Sequence, residues 1–174
     1  MNAKASLKPA LRPFLPTDAP VLAQIFRDGI AELTGEDYDE AQQAAWIACA
    51  DDEALFTNRL ATALTLIATI NDSRNNSPVG FISLKGKDHI DMLYVHPSVA
   101  GEGVGTLLCD AIIKLAQARG ATLVTTDASD TARPLFEKLG FEAKYRQTVE
   151  VADEWLGSTR MEKRFETSMR GQSR

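Results

Sequence analysis

The sequence predicts a single α/β (α+β) domain built on a mixed sheet, and three observations predict it. An extended segment, residues 89–95, runs through a glycine-rich turn into an amphipathic helix that closes at Gly120. Helical patterns fill the chain before the first central strand, and two long extended segments joined by a short turn fill its end. One helix crosses over between the glycine turn and the strand that follows it, as in a mixed sheet.

The elements follow in order. Leu11-Arg12-Pro13-Phe14 reads as a short edge strand, since Pro13 cannot donate within a central ladder. Thr17 or Asp18 caps a helix carrying Val21, Leu22, Ile25, Phe26 and Ile30 on one face. A second helix begins near Asp39 and includes Ala41, Ala44, Ala45, Trp46 and Ala48; a third starts at Asp51 or Asp52 and carries Leu55, Phe56 and Leu60. Residues 64–70 and 79–84 are strands joined by a polar stretch, 71–78, that is long for a hairpin loop. After the strand at 89–95, Val104, Leu107, Leu108, Ala111, Ile112, Leu115 and Ala116 recur at three-and-four spacing, with Lys114, Gln117 and Arg119 opposite. A strand at 122–127, a short helix at 131–139 ended by Gly140, and strands at 141–151 and 155–165 complete the domain. Residues 1–165 form the domain; the polar tail 166–174 is expected to be disordered.

Composition excludes several classes. The 174 residues suit one domain with a real core, and a net charge of −5 argues against nucleic acid as a partner. No apolar run approaches the roughly 20 residues that span a bilayer, and the first nine residues lack the apolar centre of a signal peptide, so a soluble cytoplasmic protein is expected. Cys49 and Cys109 make no metal-ligand cluster and are expected as small core residues.

The chemistry concentrates at the glycine turn. Free backbone N–H groups and the positive end of the helix dipole converge there, and Gly103 and Gly105 let a ligand approach the backbone closely. A phosphate or pyrophosphate suits such a site.

Two separated signatures, LYVHPSVAGEGVGTLLCDAI (Leu93 to Ile112) and ASDTARPLFEKLGF (Ala128 to Phe141), resemble the GNAT superfamily of acyl-CoA-dependent N-acetyltransferases. Glu36-Asp37-Tyr38 with Gln42 and Trp46, and Ala132-Arg133-Pro134, resemble its YafP-like branch. The resemblance implies a mostly antiparallel sheet of about six to seven strands. It also implies a strand through Leu93, Tyr94 and Val95 that splays from its neighbour at 125–127 and pairs with the pantetheine amides of acetyl-CoA. A backbone N–H near Leu93 would face the thioester carbonyl. Ala100, Gly101, Glu102, Gly103, Val104, Gly105 and Thr106 would cradle the pyrophosphate, with Ser129 and Phe136 completing the cofactor site. Four positions depart from the family pattern. Ala100 stands where Gln or Arg is usual, Ser129 for asparagine, Phe136 for the tyrosine that protonates the departing thiolate, and Glu102 adds a negative charge. The CoA thiolate, with a pKa near 8.5, leaves with little help; water, Tyr38, Tyr94 and Tyr145 are the alternatives for its proton.

An acceptor amine with a pKa near 10.4 must lose a proton before it attacks. His89 and Asp91, two apart on a strand, project from one face and are the candidate bases, with the choice between them open. Each also has a plainer reading, as a strand-start residue and a pairing residue. Tyr38, Gln42 and Trp46 recur every fourth residue on one expected helix face, where Tyr38 and Trp46 would contact the acceptor or form a core stripe. His96 is expected at the surface, and the acidic residues at 36–37 and 51–53 as caps and solvated faces.

The expected function is transfer of acetyl from acetyl-CoA to a small-molecule or peptide amine by direct attack in a ternary complex, without a metal and with a dimer favoured. The alternative is an acyl-CoA-binding regulatory module without catalysis, which Phe136 and Glu102 favour. A Rossmann-type nucleotide site is the weaker third reading, because the turn lacks Gly-x-Gly-x-x-Gly and does not open the chain.

Overall fold

The computed structural model describes residues 8–72 and 75–166. A seven-stranded sheet with the order β1-β2-β3-β4-β5-β7-β6 is formed by β1 (Ala10–Pro13), β2 (Leu64–Asn71), β3 (Asn76–Lys85), β4 (His89–Val95), β5 (Leu123–Ser129), β6 (Glu142–Val151) and β7 (Glu154–Arg164). Every neighbouring pair is antiparallel except β4 and β5. The crossover between those two is α4 (Val104–Ala118), the element that the periodicity announced.

The strand alternation sends side chains to two cores. Ile67, Phe81 and Met92 pack under α1 (Ala19–Leu33) and α3 (Glu53–Ala61), against Leu22, Phe26, Ile30, Phe56 and Leu60. On the other face Leu66, Ile82, Leu84 and Val124 meet α4 through Leu108 and Ile112, and α5 (Arg133–Lys138) through Phe136. The short α2 (Glu40–Ile47) is capped by Asp39, whose side chain accepts from Gln42 N–H while the Gln42 side chain accepts from Asp39 N–H.

Several expectations are corrected. Val21 and Leu55 are exposed, because α1 buries the stripe through Leu22, Ile25, Phe26 and Ile30, and α3 the one through Phe56 and Leu60. Cys49 is exposed, and only Cys109 is a core thiol, which burial pushes up to about 12. Tyr38 lies outside α2, because Asp39 takes an extended conformation as its N-cap and ends any helix there. Asp18 is the N-cap residue of α1, but its side chain makes no hydrogen bond to that helix; it accepts from Leu15 N–H at 2.8 Å and binds Arg12 in a bidentate pair at 2.8 and 2.7 Å. The hairpin between β2 and β3 is shorter than expected, since Asn71 pairs with Asn76 and Pro78 lies within β3. Pro78 is tolerated because the register shifts beside it, leaving Val79 without a partner on β2. The tail at 167–174 lies outside the described residues, as does most of 1–9.

Candidate active site

The site begins with a bulge. On β4, Ile90 opposes Leu84 and Met92 opposes Ser83, so Asp91 has no partner on β3. The extra residue reverses the alternation: Ile90 joins the α4 core, whereas Met92 and Tyr94 join the α1 side. Asp91 turns toward α3, where Arg59 Nε and Nη2 donate to its two carboxylate oxygens at 2.7 and 3.0 Å.

The gap comes next. β4 and β5 pair only at His89 with Thr125 and Ile90 with Thr126, after which β5 continues against β7 alone. The rims from Asp91 to Val95 and from Thr126 to Ser129 enclose a cavity of about 510 Å³. It passes from Thr34 and Trp46 on the α1–α2 side to Phe136 and the start of α4 on the other. Unpaired strand edges present backbone donors and acceptors that an extended amide-bearing chain can satisfy.

The third component is the α4 N-terminus. Gly101 and Gly103 adopt positive φ of 76° and 87°, conformations that exact a penalty from side chains. The first helical bond runs from Leu107 N–H to Gly103 O, so the N–H groups of Val104, Gly105 and Thr106, residues that line the cavity, have no intrahelical partner. This is the geometry of an anion cradle. Lys138, on the last turn of α5, is the one cation among the lining residues and had no signal in the sequence.

All the sequence-selected cofactor positions line this cavity except Glu102, whose side chain is exposed and whose N–H donates to Val99 O. Ser129 Oγ accepts from Ala132 N–H and so shapes the turn into α5. Phe136 contacts the cavity but is only 2% exposed, with its ring edge against Phe141.

Asp91 and His89 share the α1–α3 face but not the cavity. Asp91 lines it with its side chain 18% exposed; His89, at 24%, lies behind the two-rung pairing. His89 Nδ1 is 2.8 Å from Thr125 Oγ1, and Nε2 is 3.8 Å from an Asp127 carboxylate that Arg160 holds at 2.6 and 3.0 Å. Burial lowers the His89 pKa, and Arg160 and Lys85 add to this against the opposing pull of Asp127 and Asp91, so the imidazole is held below 6.5. For Asp91, burial pushes the carboxyl up, but the hydrogen bonds and charge of Arg59 outweigh it and the group ends below the usual carboxylate range.

Trp46 lines the cavity and donates from Nε1 to the Tyr94 hydroxyl at 3.1 Å. Tyr38 does not line it: its hydroxyl donates to Gly157 O at 2.6 Å and accepts from Asp130 N–H at 2.9 Å, with its ring 5.3 Å from that of Trp46. It clasps the α1–α2 connection to the β5–α5 turn and β7, beside a Thr131 to Asp37 hydrogen bond at 2.7 Å. Of the three tyrosines, Tyr94 alone contacts the cavity, and burial raises its pKa strongly. His96 sits in the loop beyond β4, with Nδ1 accepting from Ser98 N–H. Among the described residues, no group of three or more His, Cys, Asp or Glu side chains is placed to hold a metal ion.

A splayed parallel pair, a bulged strand and a glycine-capped helix N-terminus together border one cavity. Residues 34–165 match the acetyltransferase (GNAT) domain model, and the chain belongs to that family. It is 34% identical to YafP of Escherichia coli K12, described as an uncharacterized N-acetyltransferase, over 84% of this chain and 89% of that protein. The crystal structure of a GCN5-related N-acetyltransferase from Rhodopseudomonas palustris is 54% identical and superposes with a TM-score of 0.88, covering 94% of this chain and all of that one (100%). The PaiA N-acetyltransferase of Thermoplasma acidophilum, solved with coenzyme A, shares the fold at a TM-score of 0.73 and 18% identity, over 91% of this chain and 100% of that one.

Proposed function

We propose that the protein transfers acetyl from acetyl-CoA to a primary amine by direct attack within a ternary complex. The observation that carries this reading is the gap between β4 and β5, which joins an anion cradle on one side of the sheet to the Asp91 carboxylate on the other. The pantetheine lies along the rims at Leu93, Tyr94 and Val95, and the pyrophosphate meets the N–H groups from Val104 to Thr106. A backbone N–H near Leu93 stabilises the oxyanion. Asp91 draws the acceptor ammonium into the cavity, where Trp46 forms part of the wall, and the proton leaves through water toward His89, which is neutral above its lowered pKa. The thiolate departs on its own low basicity. The chain is read as acting in the cytoplasm, with no metal involved.

Titration calorimetry tests the donor. Acetyl-CoA and CoA are expected to bind with micromolar affinity and ATP much more weakly; absence of binding by either CoA species would end the enzymatic reading. Acetyl-CoA given with a panel of amines is then expected to release free thiol. Phe136 favours a second reading, in which the groove binds acyl-CoA to regulate a partner, since its ring carries no hydroxyl to donate a proton. Tight binding without thiol release for any amine selects it.

The pH profile tests His89. A base that must be neutral gives a kcat that falls as pH drops through its pKa, and burial places that limb below 6.5. In His89→Gln the limb is expected to vanish and kcat to fall; an unchanged limb in the variant removes His89 from the proton path.

A further inference from the structure

A second cavity, of about 300 Å³, is lined by Arg59, Thr62, Ala63, Lys85 and Asp91. Asp91 is the one residue that it shares with the larger cavity, so this carboxylate stands in the partition between the two. Arg59 spends Nε and Nη2 on Asp91 at 2.7 and 3.0 Å, and its Nη1 donates to no described residue. Lys85, exposed at the end of β3 opposite His89, forms no ion pair with a described residue. The basin therefore holds two cations against one carboxylate. The bidentate pair fixes the guanidinium plane, so an incoming anion meets an oriented donor that has already lost its rotamer freedom.

We infer that the acceptor carries an anionic group, a carboxylate or a phosphate, in the same molecule as its amine, and that Arg59 and Lys85 receive this group in the outer basin. The inference rests on the acetyl-transfer reading above. Asp91 then separates the two charges of the acceptor: its cavity side attracts the ammonium, and the cations on the basin side attract the anion. A simple monoamine gains nothing from the basin, and its ammonium is repelled by the two cations that flank Asp91.

The test uses the whole protein loaded with CoA, titrated by calorimetry at low salt with n-butylamine, γ-aminobutyrate and aminopropyl phosphate. At least one of the two anionic amines is expected to bind about tenfold more tightly than n-butylamine, with the better of them telling carboxylate from phosphate. In Lys85→Gln that advantage is expected to shrink to within about threefold. Lys85 is the position to change, because substituting Arg59 also unpairs Asp91. Equal affinities, no detectable binding of either anionic amine, or an advantage that survives in Lys85→Gln would overturn the inference. The CoA-loading step separates the two claims: failure to load defeats the acetyl-transfer reading, whereas loading without an anion preference defeats this inference alone.

Discussion

Asp91→Ala is expected to lower kcat by about 10²–10⁴ fold while changing acetyl-CoA affinity by no more than about threefold. The carboxylate is the one acidic group on the bulged strand that faces the cavity, and its low pKa keeps it charged at every pH where the enzyme meets an amine. Removing it takes away the attraction for the ammonium and leaves Arg59 unpaired at the site where a cation is least welcome. The cost in stability is small, about 0–1 kcal/mol, since the Arg59 side chain is 44% exposed and water replaces its partner. Thiol release under saturating acetyl-CoA, calorimetry and a thermal melt separate these quantities. Asp91→Asn keeps the shape and discards the charge, so it should track the alanine variant. Full turnover in Asp91→Ala and in His89→Gln together would remove both residues from the chemistry.

Gly105→Val is expected to weaken acetyl-CoA binding by about 10²-fold, or roughly 2.7 kcal/mol. A Cβ at this position would stand 3.1 Å from Leu135 Cδ2 and 3.8 Å from Val95 Cγ2, in a residue that lines the cavity at the first turn of α4. The β-branched atoms must either push Leu135 away or enter the cavity. Overpacking of this kind costs about 1–3 kcal/mol of stability. A melting temperature lowered by several degrees with retained secondary structure would establish that the variant folds, and calorimetry would then read the affinity. Wild-type affinity in the folded variant would mean that the anion does not approach the α4 N-terminus.

Elements whose signal is local were legible in the sequence. α4 was readable because its apolar stripe runs for four turns between two glycines, each at a positive φ. The β6–β7 hairpin was readable from the length of its strands; its turn residues, Ala152 and Asp153, take φ of 45° and 67° without the glycine that usually marks such a turn. The bulge was not legible. Asp91 loses its partner through the register that β3 imposes, and nothing within residues 89–95 announces a missing rung. Arg59 lies 32 residues away on a helix whose visible signals are its cap and its apolar positions, so its bidentate hold on Asp91 had no mark in the chain. Tyr38 misled by spacing: its ring does reach Trp46, but by packing from outside the helix that Asp39 begins. Lys138 was hidden for a simpler reason, since a lysine in a last helical turn is ordinary.

The two-rung seam between β4 and β5 has a consequence for what counts as the native protein. Within β1 to β4 and within β5 to β7 each neighbouring pair of strands shares at least four register pairs, and between the two groups only two are made. A pantetheine chain bonded to both rims would act as a removable eighth strand, completing a ladder that the polypeptide leaves open. Cofactor is then an architectural component as well as a reagent. At free concentrations about a hundred times its dissociation constant it would add about 2.7 kcal/mol to the folded state, so the enzyme would be sturdiest when charged for reaction and would loosen along that seam after each exchange of CoA.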